Sequence, residues 1–386
     1  MLVQPQLVEN LGWTLVHSVW QFALVAAGLW AVLRLVRVGA ANGRYAASVC
    51  ALALMVILPV GTYWQISQSA GASGRLTQFE QLDDSLGNSD VRGNSAVRPI
   101  EQMVAANGLT PAEDSEVWSL SRLRAIATSQ FPALFPFAIW LWLLGVAAFS
   151  LRLAGGVWQI RKLKTIGIEA VNDEWQKRFE SLLERLGIGR TVKLVRSDLL
   201  GTPIAIGVIK PMILVPAGLF LQIDPRQLES IIAHELIHIR RYDPLVNLIQ
   251  SVAETIFFYH PCVWWISRQI RREREFAADA AVVDVYADDR LIYAAALANL
   301  EEIRLMAKIQ APPMAAAADG GNLMNRIQRI LQNKTEIRRA SSAWSAGLAL
   351  VLISAVLLVV FSYSPPSVVN AQKRQAERRV AVGFVS

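Results

Sequence analysis

Residues 222 to 245 read QIDPRQLESIIAHELIHIRRYDPL, and inside them lies His-Glu-Leu-Ile-His. His234 and His238 are four residues apart. On a helix that spacing projects both imidazoles from one face, close enough to reach a single ion. Zinc accepts imidazole nitrogen and carboxylate oxygen. A catalytic zinc takes three protein ligands and leaves a fourth position to water. Bound zinc lowers the pKa of that water to about 7. Glu235 follows the first histidine and is placed to take the proton of the water as general base. The chain has only four histidines, His17, His234, His238 and His260. With histidine so rare, chance produces the motif only on the order of once in several hundred such chains. The competing reading is a pair of core histidines on an ordinary buried helix.

A third ligand must come from elsewhere. Glu275 and Asp279 are four apart and share one face of a later helix. Glu273 is two residues from Glu275, points elsewhere, and is expected in solvent beside Arg271, Arg272 and Arg274. Glu275 is the expected ligand, and Asp279 the residue that hydrogen-bonds a ligating histidine. The competing role for Asp279 is a surface ion pair with a nearby arginine. His260 precedes a proline at a helix break. Two roles are open to it: a catalytic one, stabilising a developing oxyanion, or a helix cap.

These residues need a scaffold. Asp224 can cap a helix, Pro225 fits its first position and Gln227 completes a capping-box spacing. Leu228, Ile231, Ile232 and Ile239 continue that helix. Upstream, residues 170 to 187 read as an amphipathic helix ending at Gly187. The period then changes to two: 191–197, 202–208 and 211–216 read as short strands. An edge strand beside the histidine helix can hold an extended peptide by its backbone. Residues 245 to 259 are apolar but interrupted by Asn247, Gln250 and Glu254, and read as a buried helix rather than a membrane span. Helices are expected over 262–285, 291–308 and 320–334.

The whole chain of 386 residues is apolar. Its mean hydropathy is +0.34 and only 18% of residues are charged. Four stretches are long enough to cross a bilayer: roughly 13–33, 45–64, 131–153 and 343–363. The fold class is therefore an α+β membrane protein. Four transmembrane helices are expected, with a mostly helical unit and a small β-sheet, 154–342, inserted between helices three and four. His17 lies within the first span, where ionisable groups are functional candidates or helix–helix hydrogen bonders.

Orientation follows from the basic residues. Arg34, Arg37 and Arg44 lie between spans one and two, and Arg152, Arg161, Lys162 and Lys164 follow span three. Acids outnumber bases in the loop 65–130, which reads as largely unstructured. The positive-inside rule puts the termini and this loop outside and segment 154–342 in the cytoplasm. Lys373, Arg374, Arg378 and Arg379, in the tail 364–386, speak against that assignment. The N-terminus lacks the basic region of a cleavable signal peptide. Two cysteines, Cys50 and Cys262, in apolar surroundings indicate neither a disulfide framework nor a cysteine metal cluster. The net charge of +7 clusters beside apolar runs, so nucleic acid is not an expected partner.

The stretch HELIHIRRYD, followed by FFYHPCVWWISRQIRREREFAAD, resembles the integral-membrane zinc peptidases of the penicillinase antirepressor (BlaR/MecR) type. LVHSVWQ, GVIKPMILVP and LMNRIQRIL are similar to that family as well. The resemblance implies a gluzincin-like site, with His234, His238 and Glu275 holding zinc and Glu235 as base. It also implies site-specific cleavage of a cytoplasmic repressor and self-cleavage, coupled to an external signal. Drug-sensing members carry an external penicillin-binding domain with a Ser-x-x-Lys motif after the fourth span. Residues 364–386 hold no such motif, so sensing is expected to use loop 65–130, the spans or another protein. The expected partners are the lipid bilayer, a cytoplasmic protein substrate and, as an allowed assembly, a second copy in a homodimer. Two other tasks fit the same residues: quality control of membrane proteins, or a signalling scaffold with structural zinc.

Overall fold

A computed structural model describes residues 5–35, 41–87, 120–286, 289–309 and 320–331. The chain begins with three long helices: α1 (Pro5–Leu35), α2 (Ala41–Gly87) and α3 (Leu120–Leu163). Segments Gln6–Leu35, Ala41–Gln68 and Leu134–Leu163 are long and apolar enough to cross a membrane. The expected fourth span, 343–363, and the tail 364–386 lie outside the described residues. The second and third helices continue into 65–87 and 120–130, which the sequence reading placed in the unstructured loop. Residues 65–87 contain no proline, and Leu, Gln, Glu and Arg there are sound helix formers.

The rest of the chain alternates a small sheet with short helices: β1 (Ile168–Ala170), α4 (Asp173–Arg185), β2 (Lys193–Ser197), β3 (Ile204–Ile206) and β4 (Met212–Pro216). There follow α5 (Leu219–Gln222), α6 (Pro225–Arg240), α7 (Asp243–Ile256), α8 (Pro261–Val285), α9 (Arg290–Ile309) and α10 (Gly320–Leu331). The sheet order is β1-β2-β4-β3, with β2 and β4 parallel and both outer pairs antiparallel. Strand β1 has no counterpart among the expected strands; three residues are too few to show a period. Gly207 turns β3 into β4 at φ +93°, where an added Cβ would lie 2.5 Å from the Lys210 carbonyl oxygen.

The described residues fall into two compact units. One is drawn from the described residues of 5–17, 59–87 and 120–142, the other from those of 18–58 and 143–331. The second unit has two apolar cores. In one, Leu194, Ile213 and Val215 of the sheet pack with Phe179 and Leu182 of α4 and Leu228, Ile232 and Leu236 of α6. In the other, Phe22, Val25 and Leu29 of α1 and Leu52 and Met55 of α2 pack with Phe257, Val263, Ile266 and Ile270. The region 245–259 is less buried than its sequence suggested. Ala253 and Thr255 are buried, but Leu245, Leu248, Ile249 and Val252 are exposed.

Candidate metal centre

Helix α6 starts where its sequence says it should. The Asp224 side chain accepts from the Arg226 N–H at 2.8 Å, and Pro225 takes the first turn, where no partner for its nitrogen is needed. Gln227 is occupied otherwise, accepting from the Asn299 amide at 2.8 Å. The apolar face of α6 is buried and carries His234 with it, at 6% exposure. His238 stands one turn later. The two rings are perpendicular, and their Nε2 atoms are 3.1 Å apart. Helix α8 brings Glu275 to the same point, with Oε2 3.4 Å from His234 Nε2 and Oε1 3.7 Å from His238 Nε2. Three donors around tetrahedral zinc, each about 2.0–2.2 Å from it, stand about 3.3–3.5 Å from one another. The arrangement has the size of such a shell.

The hydrogen bonds behind the ligands test the fit further. His238 Nδ1 lies 2.7 Å from Asp243 Oδ2. Burial raises the pKa of Asp243, but the bond to His238 and the charge of Arg241 outweigh it, so the carboxylate stays ionised and only accepts. His238 therefore carries its proton on Nδ1. His234 Nδ1 lies 2.9 Å from the Tyr293 hydroxyl, which donates to Asp279 Oδ1 at 2.6 Å. The hydroxyl proton being so engaged, His234 also carries its proton on Nδ1. Both Nε2 lone pairs then face one point. Two acceptors 3.1 Å apart repel unless a cation lies between them, so the donor set fits a metal ion.

The metal-free electrostatics agree. Burial opposes a charge on His234, but Asp279 and Glu275 overcome it and push its pKa up to about 9. Glu275, despite burial, is held down at about 2 by His234 and Arg326. Below pH 9 a proton on His234 occupies the point where a metal would sit. Metal binding must expel it, so apparent zinc affinity is expected to rise about tenfold per pH unit up to about pH 9 and then level off. Chelator competition on the purified full chain across pH 6–10 measures this; a flat profile would refute the assignment of the proton.

The family model of the BlaR1 peptidase M56 family matches residues 17–330. The chain belongs to this family. It is 26% identical over 236 residues to the Regulatory protein BlaR1 of Bacillus licheniformis, covering 61% of this chain and 38% of that protein. It is 23% identical over 144 residues to the Regulatory protein BlaR1 of Staphylococcus aureus, 37% of this chain and 24% of that one. Over 89 residues it is 25% identical to the Methicillin resistance mecR1 protein of Staphylococcus aureus strain Mu50, 23% of this chain and 15% of that one. The chain thus spans well under half the length of these curated relatives.

In this M56 chain the residues singled out in the sequence meet in part. His234, His238 and Glu275 converge, and among the described residues they form the one His/Cys/Asp/Glu group with metal-ligand spacing. Glu235 lies partly buried beside them. Its Oε2 accepts from the N–H of Ala205 on the edge strand β3 at 2.8 Å, and burial raises its pKa above 4.5. Asp279 lies against both His234 and an arginine. Its Oδ1 lies 3.3 Å from His234 Nδ1, and Arg326 grips both its oxygens at 2.8 Å. The pair is buried, however, and not on the surface.

Of the two roles open to His260 the structure supports the cap, and the expectation for Glu273 needs correction. The structure does not bring His260 to the cluster. It caps α8: Nδ1 accepts from the Cys262 N–H at 3.1 Å, which leaves the proton on Nε2 to donate to the Val19 carbonyl at 3.1 Å. Glu273 is not solvated. It is fully buried and takes two bonds from Arg44 of α2, at 2.9 and 3.1 Å. The arginines beside it in sequence could not reveal a partner on another helix.

Sequence reasoning also missed Asp243, Tyr293, Tyr45 and Arg326. Asp243 follows a chain reversal at Tyr242, which adopts a left-handed φ of 59° and swings the carboxylate back to His238. Tyr45 of α2 donates to the other Asp243 oxygen at 2.7 Å. Arg326 of α10 reaches Glu275 Oε2 at 3.2 Å as well as Asp279. Asp243→Asn keeps the shape but offers His238 a weaker acceptor. It is expected to lower zinc affinity about 10–100-fold. Chelator competition at pH 7.5 checks this, and an unchanged affinity would remove Asp243 from the site.

Proposed function

We propose that this chain is a gluzincin-like zinc endopeptidase held in the cell membrane, which cuts a cytoplasmic regulator, by kind a transcriptional repressor, and its own backbone in response to an envelope signal. The observation that carries the reading is the convergence of the two Nε2 atoms and the Glu275 carboxylate within 3.1–3.7 Å, beside the partly buried Glu235. His234, His238 and Glu275 would hold zinc, which when bound supplies an activated water and polarises a carbonyl. Glu235, with its raised pKa, is suited to accept a proton from that water and hand it to the leaving amine. Asp243, Tyr293 and Asp279 fix the imidazoles, and Arg326 balances the carboxylates. Strand β3 is an edge strand in a fitting position, because the Ala205 N–H points at Glu235 rather than into the sheet. A peptide lying along β3 by main-chain hydrogen bonds would present a carbonyl to the site.

The regulatory task rests on the relatives, two of which are named regulatory proteins. The cytoplasmic side rests on Arg161, Lys162 and Lys164 at the end of α3. The test is to co-express the full chain with candidate small repressors and follow cleavage with and without a zinc chelator. Chelator-sensitive cleavage at one bond of one repressor supports the reading. Broad turnover of membrane proteins with no change in any specific regulon would replace it with quality control.

A further inference from the structure

We propose that the α7–α8 hairpin is re-entrant: it dips into the bilayer beside α1 and α3, and its exposed apolar face contacts lipid acyl chains. The first ground is a distance match along two helices. Arg44 donates to the Leu33 carbonyl of α1 at 2.6 Å and to Glu273 of α8, so Leu33 and Glu273 lie at one level. At the other end, His260 donates to the Val19 carbonyl. Leu33 to Val19 is about 21 Å along α1, and Glu273 to His260 about 20 Å along α8. The first half of α8 therefore runs beside the candidate span of α1. Phe22 stacks edge-on against Phe257 at 5.0 Å and His260 at 5.1 Å, and Ser18 shares a 2.7 Å hydrogen bond with Tyr259.

Helix α3 gives the same depth independently. The Phe258 ring stacks on Phe149 at 5.2 Å and lies against Gly145, where an added Cβ would come within 2.0 Å of the ring. Phe149 is about 21 Å from the end of α3 at Leu163. Against a hydrocarbon core of about 30 Å, the turn 257–260 reaches past the middle. Counting only from Trp30, an interfacial type of residue, the tip is still about 16 Å deep.

A bilayer tolerates non-helical backbone only where its polar groups are satisfied within the protein. Three carbonyls of the turn are satisfied in this way. The Phe257 carbonyl accepts from the His260 N–H, the Phe258 carbonyl from the Trp264 indole at 2.8 Å, and the His260 carbonyl from the Val263 N–H. Deeper polar side chains of α7 have partners within the protein. Gln250 donates to the Ser267 carbonyl, Thr255 to the Ser251 carbonyl, and Glu254 accepts from Arg271 at 2.8 Å. Arg268 is exposed, about 12 Å back from the tip, within snorkelling reach of the near surface. Leu245, Leu248, Ile249 and Val252 form one stripe at helical spacing, exposed by 38–49%. Water is a poor neighbour for such a stripe at that depth, and acyl chains a fitting one.

The experiment uses the full chain with Cys50 and Cys262 replaced by serine, reconstituted in phospholipid vesicles. Single cysteines at Leu245, Leu248, Ile249 and Val252 carry spin labels, with Lys177 as the aqueous control and Leu144 of α3 as the lipid control. Relaxation by oxygen, which enters lipid, is compared with relaxation by a water-soluble nickel chelate. The expected result is oxygen dominance that grows from Leu245 to Val252 and matches Leu144 there, with nickel dominance at Lys177. Nickel dominance at Val252 overturns the proposal. So does low exposure to both reagents, which would mean that protein, such as a second copy, covers the stripe.

Discussion

Glu235→Gln is expected to lower peptide cleavage by about 10²–10⁴-fold while leaving bound zinc in place. The reasoning separates the two functions of neighbouring residues. Glu235 does not belong to the group of donors at 3.1–3.7 Å; His234, His238 and Glu275 do. Glutamine keeps an oxygen that can accept from the Ala205 N–H, so the contact between α6 and β3 survives. What is lost is the ability to take a proton. Burial raises the pKa of Glu235, and the acid limb of the pH–rate profile is expected above 4.5 in the parent and absent from any residual activity of the variant. Metal content by elemental analysis and cleavage of a fluorogenic peptide check both halves. Activity within tenfold of the parent, or loss of the metal, would falsify the assignment of Glu235 as the base.

The same site shows what a sequence can and cannot reveal. The i, i+4 spacings of His234 with His238 and of Glu275 with Asp279 are properties of one helix each, and a helix is readable from its period and cap. The cap at Asp224 and the strands β2 to β4 were legible for the same reason. The partners that cross between elements were not. Asp243 depends on a left-handed residue at Tyr242, a position where the backbone conformation is not written in the residue type. Tyr293 and Arg326 come from α9 and α10, and nothing in their local sequence distinguishes a residue that supports a ligand from one that faces solvent. His260 shows the opposite error. Its place before Pro261 marks a cap, which the fold bears out, whereas the scarcity of histidine in the chain invites a catalytic role away from the His234–His238 cluster that the fold does not support. The apolar run 245–259 has the composition of a buried helix, and only its neighbours show that half of its face is open.

Arg44 was legible as a basic residue flanking a span, and the fold gives it a second task with a large expected effect. Glu273→Ala, or Arg44→Ala, is expected to destabilise the chain by about 3–5 kcal/mol. The ion pair is almost wholly removed from solvent, with Glu273 at 0% and Arg44 at 7% exposure. Two parallel bonds join them, and Arg44 also holds the Leu33 carbonyl. Deleting Arg44 leaves the buried Glu273 with the longer 3.4 Å contact to Arg272, and deleting Glu273 takes the carboxylate from the buried Arg44, which keeps the Leu33 carbonyl, whereas deleting both removes the penalty along with the attraction. The double variant Arg44→Met, Glu273→Leu is therefore expected to be far less destabilised than the sum of the single variants, with a coupling of about 2–3 kcal/mol. The pair also bears on the candidate metal site. Glu273 is two residues before Glu275 on α8, and Tyr45, next to Arg44 on α2, supports Asp243 behind His238. Loss of the pair lets α8 shift against α2, so zinc affinity is expected to fall with stability in each single variant. Thermal unfolding in detergent with and without zinc, combined with chelator competition, measures both. Single variants that melt with the parent, or strictly additive effects, would show that Arg44 acts only as a topological charge and that α2 plays no part in holding the metal helix.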